Sequence, residues 1–254
     1  MPARHARAAR PAKPCPADAI ACPSPNCGPR RDGLLPRLVV IHFTGMGDLD
    51  AALERLCAPE HEVSAHYLIA RDGRLFQLVA EDQRAWHAGR GSWGGLDDIN
   101  SRSIGIELDN TGATPFPAPL MDRLEALLSG LLDRWSIPPE GVIGHQDFAP
   151  TRKWDPGPRF DWRRLARAGL AVWPEGPPEK PMTVDRPEEA AFLTAAEVFG
   201  YPVEAGLAVV LAAFRARFRP WAAGPLDIAD IAAVTDLATR FPAVFPVDRT
   251  APNA

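Results

Sequence analysis

Five side chains in this sequence could act together although they lie far apart along it: His42, Glu107, His145, Lys153 and Asp155. Three of them fall in one stretch, Gly144-His145-Gln146-Asp147-Phe148-Ala149-Pro150-Thr151-Arg152-Lys153-Trp154-Asp155-Pro156-Gly157. Its prolines and glycines fix the backbone, and no regular element is expected there. Two imidazoles and a carboxylate are the nitrogen and oxygen donors that a borderline dication such as Zn2+ takes, with a fourth position left for water. His42, His145 and Asp155 are therefore assigned as metal ligands. Zinc held in this way lowers the pKa of bound water towards ~7 and polarises a carbonyl. Amide hydrolysis further needs a carboxylate to carry a proton from water to the leaving nitrogen, a role given to Glu107. Lys153 would set its ammonium against the developing oxyanion. On spacing alone, a set of hydrogen-bonded surface groups fits these residues as well.

The elements that must position them follow from hydrophobic patterning. Leu38-Val39-Val40-Ile41-His42-Phe43 is apolar and β-branched at its centre, as in a strand buried on both faces, and it ends near His42. Asp48 suits the N-cap of a short helix carrying Leu49, Leu53 and Leu56. The segments His66–Ala70 and Leu75–Val79 around Asp72-Gly73 form a hairpin, expected at a sheet edge. Ile104, Ile106 and Leu108 alternate with Gly105, Glu107 and Asp109, a strand with one polar face. Leu120 to Trp135 recur at helical spacing after Pro119 and cover the sheet, while Val142-Ile143 form a short strand that delivers His145. A brief helix is expected from Asp161 to Arg167. The fold class is therefore α/β (α+β), a mixed central sheet flanked by helices and followed by a small three-helix domain.

Composition narrows the function. The 254 residues are 46% hydrophobic and carry a net charge of -4, so no basic stripe offers itself to nucleic acid. No run approaches the ~18 apolar residues of a membrane span, and the first 30 residues lack a secretory apolar core. Cys15, Cys22, Cys27 and Cys57 show no C-x-x-C spacing and read as reduced thiols of a cytoplasmic protein; a misassigned start would allow a periplasmic or wall-associated one. Prolines, 28 in all, cluster in residues 1–33, expected as a flexible tail, and in the linker 174–187. Between them lies a domain at 34–173, and beyond the linker a helical one at 188–246.

Residues 38–173 resemble the zinc-dependent N-acetylmuramoyl-L-alanine amidases, relatives of the peptidoglycan recognition proteins and phage lysozyme-type amidases. The resemblance rests on Val40-Ile41-His42-Phe43-Thr44, Val63-Ser64-Ala65-His66-Tyr67-Leu68-Ile69, Ala85-Trp86-His87-Ala88-Gly89, Asn100–Glu107, and Gly144-His145 through Lys153-Trp154-Asp155-Pro156-Gly157. It implies hydrolysis of the amide between N-acetylmuramic acid and L-alanine, with His42, His145 and Asp155 holding zinc and Glu107 and Lys153 as the catalytic pair. Two departures place the chain near the bacterial branch: Ala65 stands where phage and animal members use a catalytic tyrosine, and Asp155 where others have cysteine. The C-terminal segment 188–246, with Ala213-Phe214-Arg215-Ala216-Arg217-Phe218-Arg219-Pro220, resembles a small helical peptidoglycan-binding module appended to some of these amidases. Expected substrate contacts are His87, Trp93, Asn100 and Arg152, with His87 and Trp93 equally suited to packing, and Asp147 is expected to brace its loop. The expected partner is a peptidoglycan fragment or muropeptide, met by a monomer. A noncatalytic peptidoglycan-binding module on the same fold is the alternative, and a zinc hydrolase of some unrelated amide a third reading.

Overall fold

A computed structural model describes residues 16–175 and 188–243. Its strands are β1 (Ile20–Ala21), β2 (Cys27–Pro29), β3 (Leu38–Phe43), β4 (Tyr67–Ile69), β5 (Leu75–Gln77), β6 (Gln83–Ala85), β7 (Ser103–Leu108) and β8 (Val142–Gly144). The helices are α1 (Leu49–Cys57), α2 (Ile99–Arg102), α3 (Ala118–Trp135), α4 (His145–Phe148), α5 (Trp162–Arg167), α6 (Glu189–Phe199), α7 (Leu207–Phe218) and α8 (Ile228–Arg240). Six strands form a mixed sheet in the order β1-β5-β4-β7-β3-β8, and β2 and β6 make a separate antiparallel pair.

At the centre, β3 runs parallel to both β7 and β8, in a register that sets His42 beside Glu107, Val40 beside Gly105 and Leu38 beside Ser103. Alternation along a strand then divides the two faces. Val39, Ile41, Ile104, Ile106 and Leu108 pack with α3 and α5. Leu38, Val40 and Ile143 join a core with Phe192, Phe214 and Phe218 of the last helices. Over β4 and β5, Leu68 and Phe76 are covered by Ala52 and Leu56 of α1, whose N-cap is Asp48 as expected. The polar face expected of β7 is largely enclosed, and only Glu107 of its residues is part-exposed.

Four expectations need correction. Residues 16–33 do not belong to a flexible tail, since β1 pairs with β5 and β2 with β6, and the hairpin β4–β5 is accordingly not the sheet edge. Arg30 shows why this segment is held, since its buried guanidinium donates to the carbonyls of Ser101 and Ser103 at 2.9 and 3.0 Å and to Glu81 O at 2.8 Å. The stretch after Gly144 is not wholly irregular, because α4 makes one helical turn, capped by Asp147 accepting from Gly144 N. Finally, α6–α8 do not close a core of their own: their apolar side chains share the core of one sheet face. Residues 1–15, 176–187 and 244–246 of the expected tail, linker and helical domain lie outside the described residues.

Candidate active site

The parallel strands end at one side of the sheet and deliver the predicted groups there. His42 and Glu107 are register partners near the C-terminal ends of β3 and β7. Strand β8 hands directly to His145, and the loop after α4 returns Asp155, whose carbonyl accepts from Gln146 N at 2.9 Å. His42 Nδ1 lies 2.9 Å from His145 Nδ1 and 2.9 Å from Asp155 Oδ2, and His145 Nδ1 lies 3.2 Å from Asp155 Oδ2. All three residues are buried, and their donor atoms form a cluster that could hold a metal ion.

The electrostatics of the cluster follow from enclosure. Burial lowers His145 to about 4 against the opposing pull of Asp155, so the imidazole is neutral near pH 7. Burial opposes the charge of Asp155, but the adjacent His145 and His42 imidazoles outweigh it and hold the carboxyl well below the usual range. Burial, reinforced by the charge of Asp155, pushes Glu107 up to about 7 against the pull of His42 and Lys153. Its Oε2 is enclosed and without a partner. Ala88 O accepts from His145 Nε2 at 3.0 Å; a carbonyl only accepts, so the proton sits on Nε2 and Nδ1 turns a lone pair to the cluster.

These groups open on a cleft of about 340 Å³ walled by Phe43, Met46, Trp86, His87, Lys153 and Trp154. Lys153 stands on this wall as predicted. Trp154, 57% exposed, sets its edge against Phe43 with centroids 4.7 Å apart, a cleft residue the sequence reading left without a role. Arg152 also lines the cleft, with its guanidinium donating to the carbonyls of Ala88 and Arg90.

Two expected substrate contacts are not brought to the cleft. Trp93 is buried against Phe199 and Tyr201, with centroids 5.5 and 5.1 Å away, because the last helices cover it. Asn100 is buried too, and its Oδ1 accepts from His87 N at 3.0 Å and Ala88 N at 2.7 Å, so it braces the loop. His87 lies on the cleft wall but is mostly enclosed, its Nδ1 3.0 Å from His42 Nε2. Its place was legible in β7: Gly105 leaves the room, since a Cβ there would stand 2.4 Å from His87 Cγ.

Tyr67 is structural, donating to Glu81 Oε1 at 2.7 Å. His66 is a satisfied core imidazole: Gly105 N donates to its Nδ1 at 2.9 Å, and burial lowers it to about 3. Asp147 braces its turn, as expected, but with partners no local pattern revealed: Arg217 Nη1 at 2.6 Å and Tyr201 OH at 3.0 Å. Arg217 also donates to Val142 O at 2.9 Å, tying α7 to β8 beneath the cluster.

A buried triad of donors at the carboxyl ends of parallel strands, with an unpartnered carboxylate at the same cleft, is an arrangement that a metal-dependent hydrolase can use. Residues 32–158 match the profile of the N-acetylmuramoyl-L-alanine amidase family. AmiD of Escherichia coli (strain K12), an N-acetylmuramoyl-L-alanine amidase, is 34% identical over 215 residues, covering 72% of this chain and 75% of AmiD. The structure of E. coli AmiD with the substrate anhydro-N-acetylmuramic acid-L-Ala-D-gamma-Glu-L-Lys has a TM-score of 0.72 at 33% identity, over 82% of this chain and 91% of that one. AmpDh3 of Pseudomonas aeruginosa, in complex with anhydromuramic pentapeptide, has a TM-score of 0.74 at 32% identity, over 82% and 93% of the two chains. The chain belongs to the N-acetylmuramoyl-L-alanine amidase family.

Proposed function

We propose that this protein hydrolyses the amide between the lactyl group of N-acetylmuramic acid and L-alanine in peptidoglycan fragments, with zinc held by His42, His145 and Asp155. The observation that carries the reading is the convergence of those three donor atoms, 2.9 to 3.2 Å apart. Donors ~2.0–2.1 Å from a tetrahedral zinc stand about 3.3 Å from one another, so the cluster needs only a slight expansion to fit. Neutral His145 with its lone pair turned inward and a deprotonated Asp155 are the forms a metal requires. Zinc bound there would supply Lewis acidity to a water and to the scissile carbonyl.

The chain's own residues supply the rest. Among the described residues Glu107 is the only carboxylate on the cleft besides Asp155, and its raised pKa of about 7 suits a group that takes a proton from water and returns it to the leaving nitrogen. Lys153, on the same wall, sets a positive charge against the oxyanion of the tetrahedral intermediate. The anhydromuramoyl peptides bound to AmiD and AmpDh3 support a muropeptide as substrate here. A wall-binding role for the expected helical domain is left the outward surfaces of α6–α8, since the inward ones are core.

Metal analysis of the purified protein, then incubation with an anhydromuropeptide and with insoluble peptidoglycan, tests the reading by release of free stem peptide. Muropeptide bound but uncleaved by the zinc-loaded protein would establish the noncatalytic binder instead. Cell fractionation tests the cytoplasmic placement, and sedimentation the monomer.

A further inference from the structure

We infer that His87 is a positioning residue for the metal site, fixing which nitrogen of His42 carries its proton through a one-way chain of hydrogen bonds that begins at the Ile99 carbonyl. The inference rests on the zinc reading only for its consequence; the order of protons stands on the contacts themselves.

The chain can be read from its far end. Ser103 Oγ lies 2.6 Å from Ile99 O, and a carbonyl oxygen only accepts, so the serine hydrogen is committed to it. Ser103 Oγ lies 3.2 Å from His87 Nε2 and, with its hydrogen spent, accepts there, which puts the His87 proton on Nε2. His87 Nδ1 is then a bare acceptor, 3.0 Å from His42 Nε2, which donates to it. His42 Nδ1 is consequently left with its lone pair facing His145 Nδ1 and Asp155 Oδ2. Reversing the order would set two lone pairs, on Ile99 O and Ser103 Oγ, against each other at 2.6 Å.

The frame around the chain keeps it in place. Asn100 Oδ1 accepts from the backbone of His87 and Ala88, and Gly105 gives the imidazole its room. Ile99 and Asn100 belong to α2, and Ser103 opens β7, so one short helical turn and its exit build the whole support. Ala88 O does the same for His145 directly. Both imidazoles thus present Nδ1 to the cluster, one through a carbonyl and the other through a relay. Outer partners of this kind set ligand tautomer and basicity, and losing one typically costs 10–100-fold in metal affinity.

The test uses full-length zinc-loaded protein in competition with a chelator, beside 15N spectra of histidine-labelled protein. His87→Leu, which cannot accept from His42, should bind zinc 10–100-fold more weakly. His87→Asn, whose Oδ1 can accept where Nδ1 did, should restore affinity to within about threefold of the unsubstituted protein. A merely space-filling role would order the two variants the other way, since Leu fills the volume better. The spectra should show His87 protonated at Nε2. Zinc bound equally well by the Leu variant, or a His87 proton on Nδ1, would overturn the inference. Should the unsubstituted protein bind no zinc, the functional reading fails, and the tautomer of His87 in the zinc-free protein decides this inference alone.

Discussion

Glu107→Gln should separate catalysis from stability, because the fold disfavours the charge that the chemistry uses. The carboxyl rises from an ordinary 4.5 to about 7 on folding, with burial as the main cause. At about 1.4 kcal/mol for each pH unit, the carboxylate costs the folded state about 3 kcal/mol above pH 7, an upper value because the residue opens on the cleft. The sign follows from which form the fold prefers. A raised carboxyl contributes its stability fully below about 4.5 and loses it as the pH climbs through about 7. Glutamine stays neutral throughout and keeps that stability. Metal-free Glu107→Gln should therefore be more stable than the unsubstituted protein by up to about 3 kcal/mol at pH 8, and by nearly nothing at pH 4. Urea unfolding in the presence of a chelator measures both, and titrating groups that do not interact with Glu107 cancel in the difference. Zinc should shrink the gap, since a nearby dication favours the carboxylate. Turnover should fall about 10²–10⁴-fold while zinc is retained. A variant less stable at pH 8, or a difference flat between pH 4 and pH 8, would refute the argument.

Other substitutions probe the remaining parts. His145→Ala should reduce the zinc content of the purified protein to background, read by elemental analysis. Lys153→Met should keep zinc and lower kcat about 10²–10³-fold in the peptide-release assay, the loss expected for one oxyanion partner. Gly105→Ala places a Cβ 2.4 Å from His87 Cγ and must push the ring aside, lowering stability by about 1–3 kcal/mol in urea unfolding and weakening zinc binding as well. Arg217→Leu strands Asp147, itself wholly buried, and should cost about 3–5 kcal/mol by the same measurement.

What could be read in advance was whatever is local or carries chemistry. The apolar run of β3, the Asp48 cap, the Asp72-Gly73 hairpin and the α3 stripe each contain their own signal within one element, and each forms as expected. His42, Glu107, His145 and Asp155 were singled out by their chemistry and preferred over hydrogen-bonded surface groups because of the family resemblance, and the structure brings them to one cleft. Residues 16–33 were misjudged because β1 is two residues long and is held by pairing with β5 about 55 positions away. Trp93 and Asn100 have the right chemistry for a substrate, and only tertiary packing shows that one is core and the other a brace. The helices α6–α8 were found by periodicity, but a stripe of apolar residues does not say which surface it will cover.

The ion pair between Arg217 and Asp147 joins residues 70 positions apart and so has a consequence for the order of events during synthesis. At roughly 5–20 residues per second, the arginine leaves the ribosome about 4–14 s after the aspartate. Over most of that interval every described strand of the sheet and every predicted ligand has already been made, yet the carboxylate three residues after Gly144 lacks its guanidinium. The turn that carries His145 therefore reaches its final form only when α7 docks, so a nascent chain becomes competent only after α7 has been made and has docked.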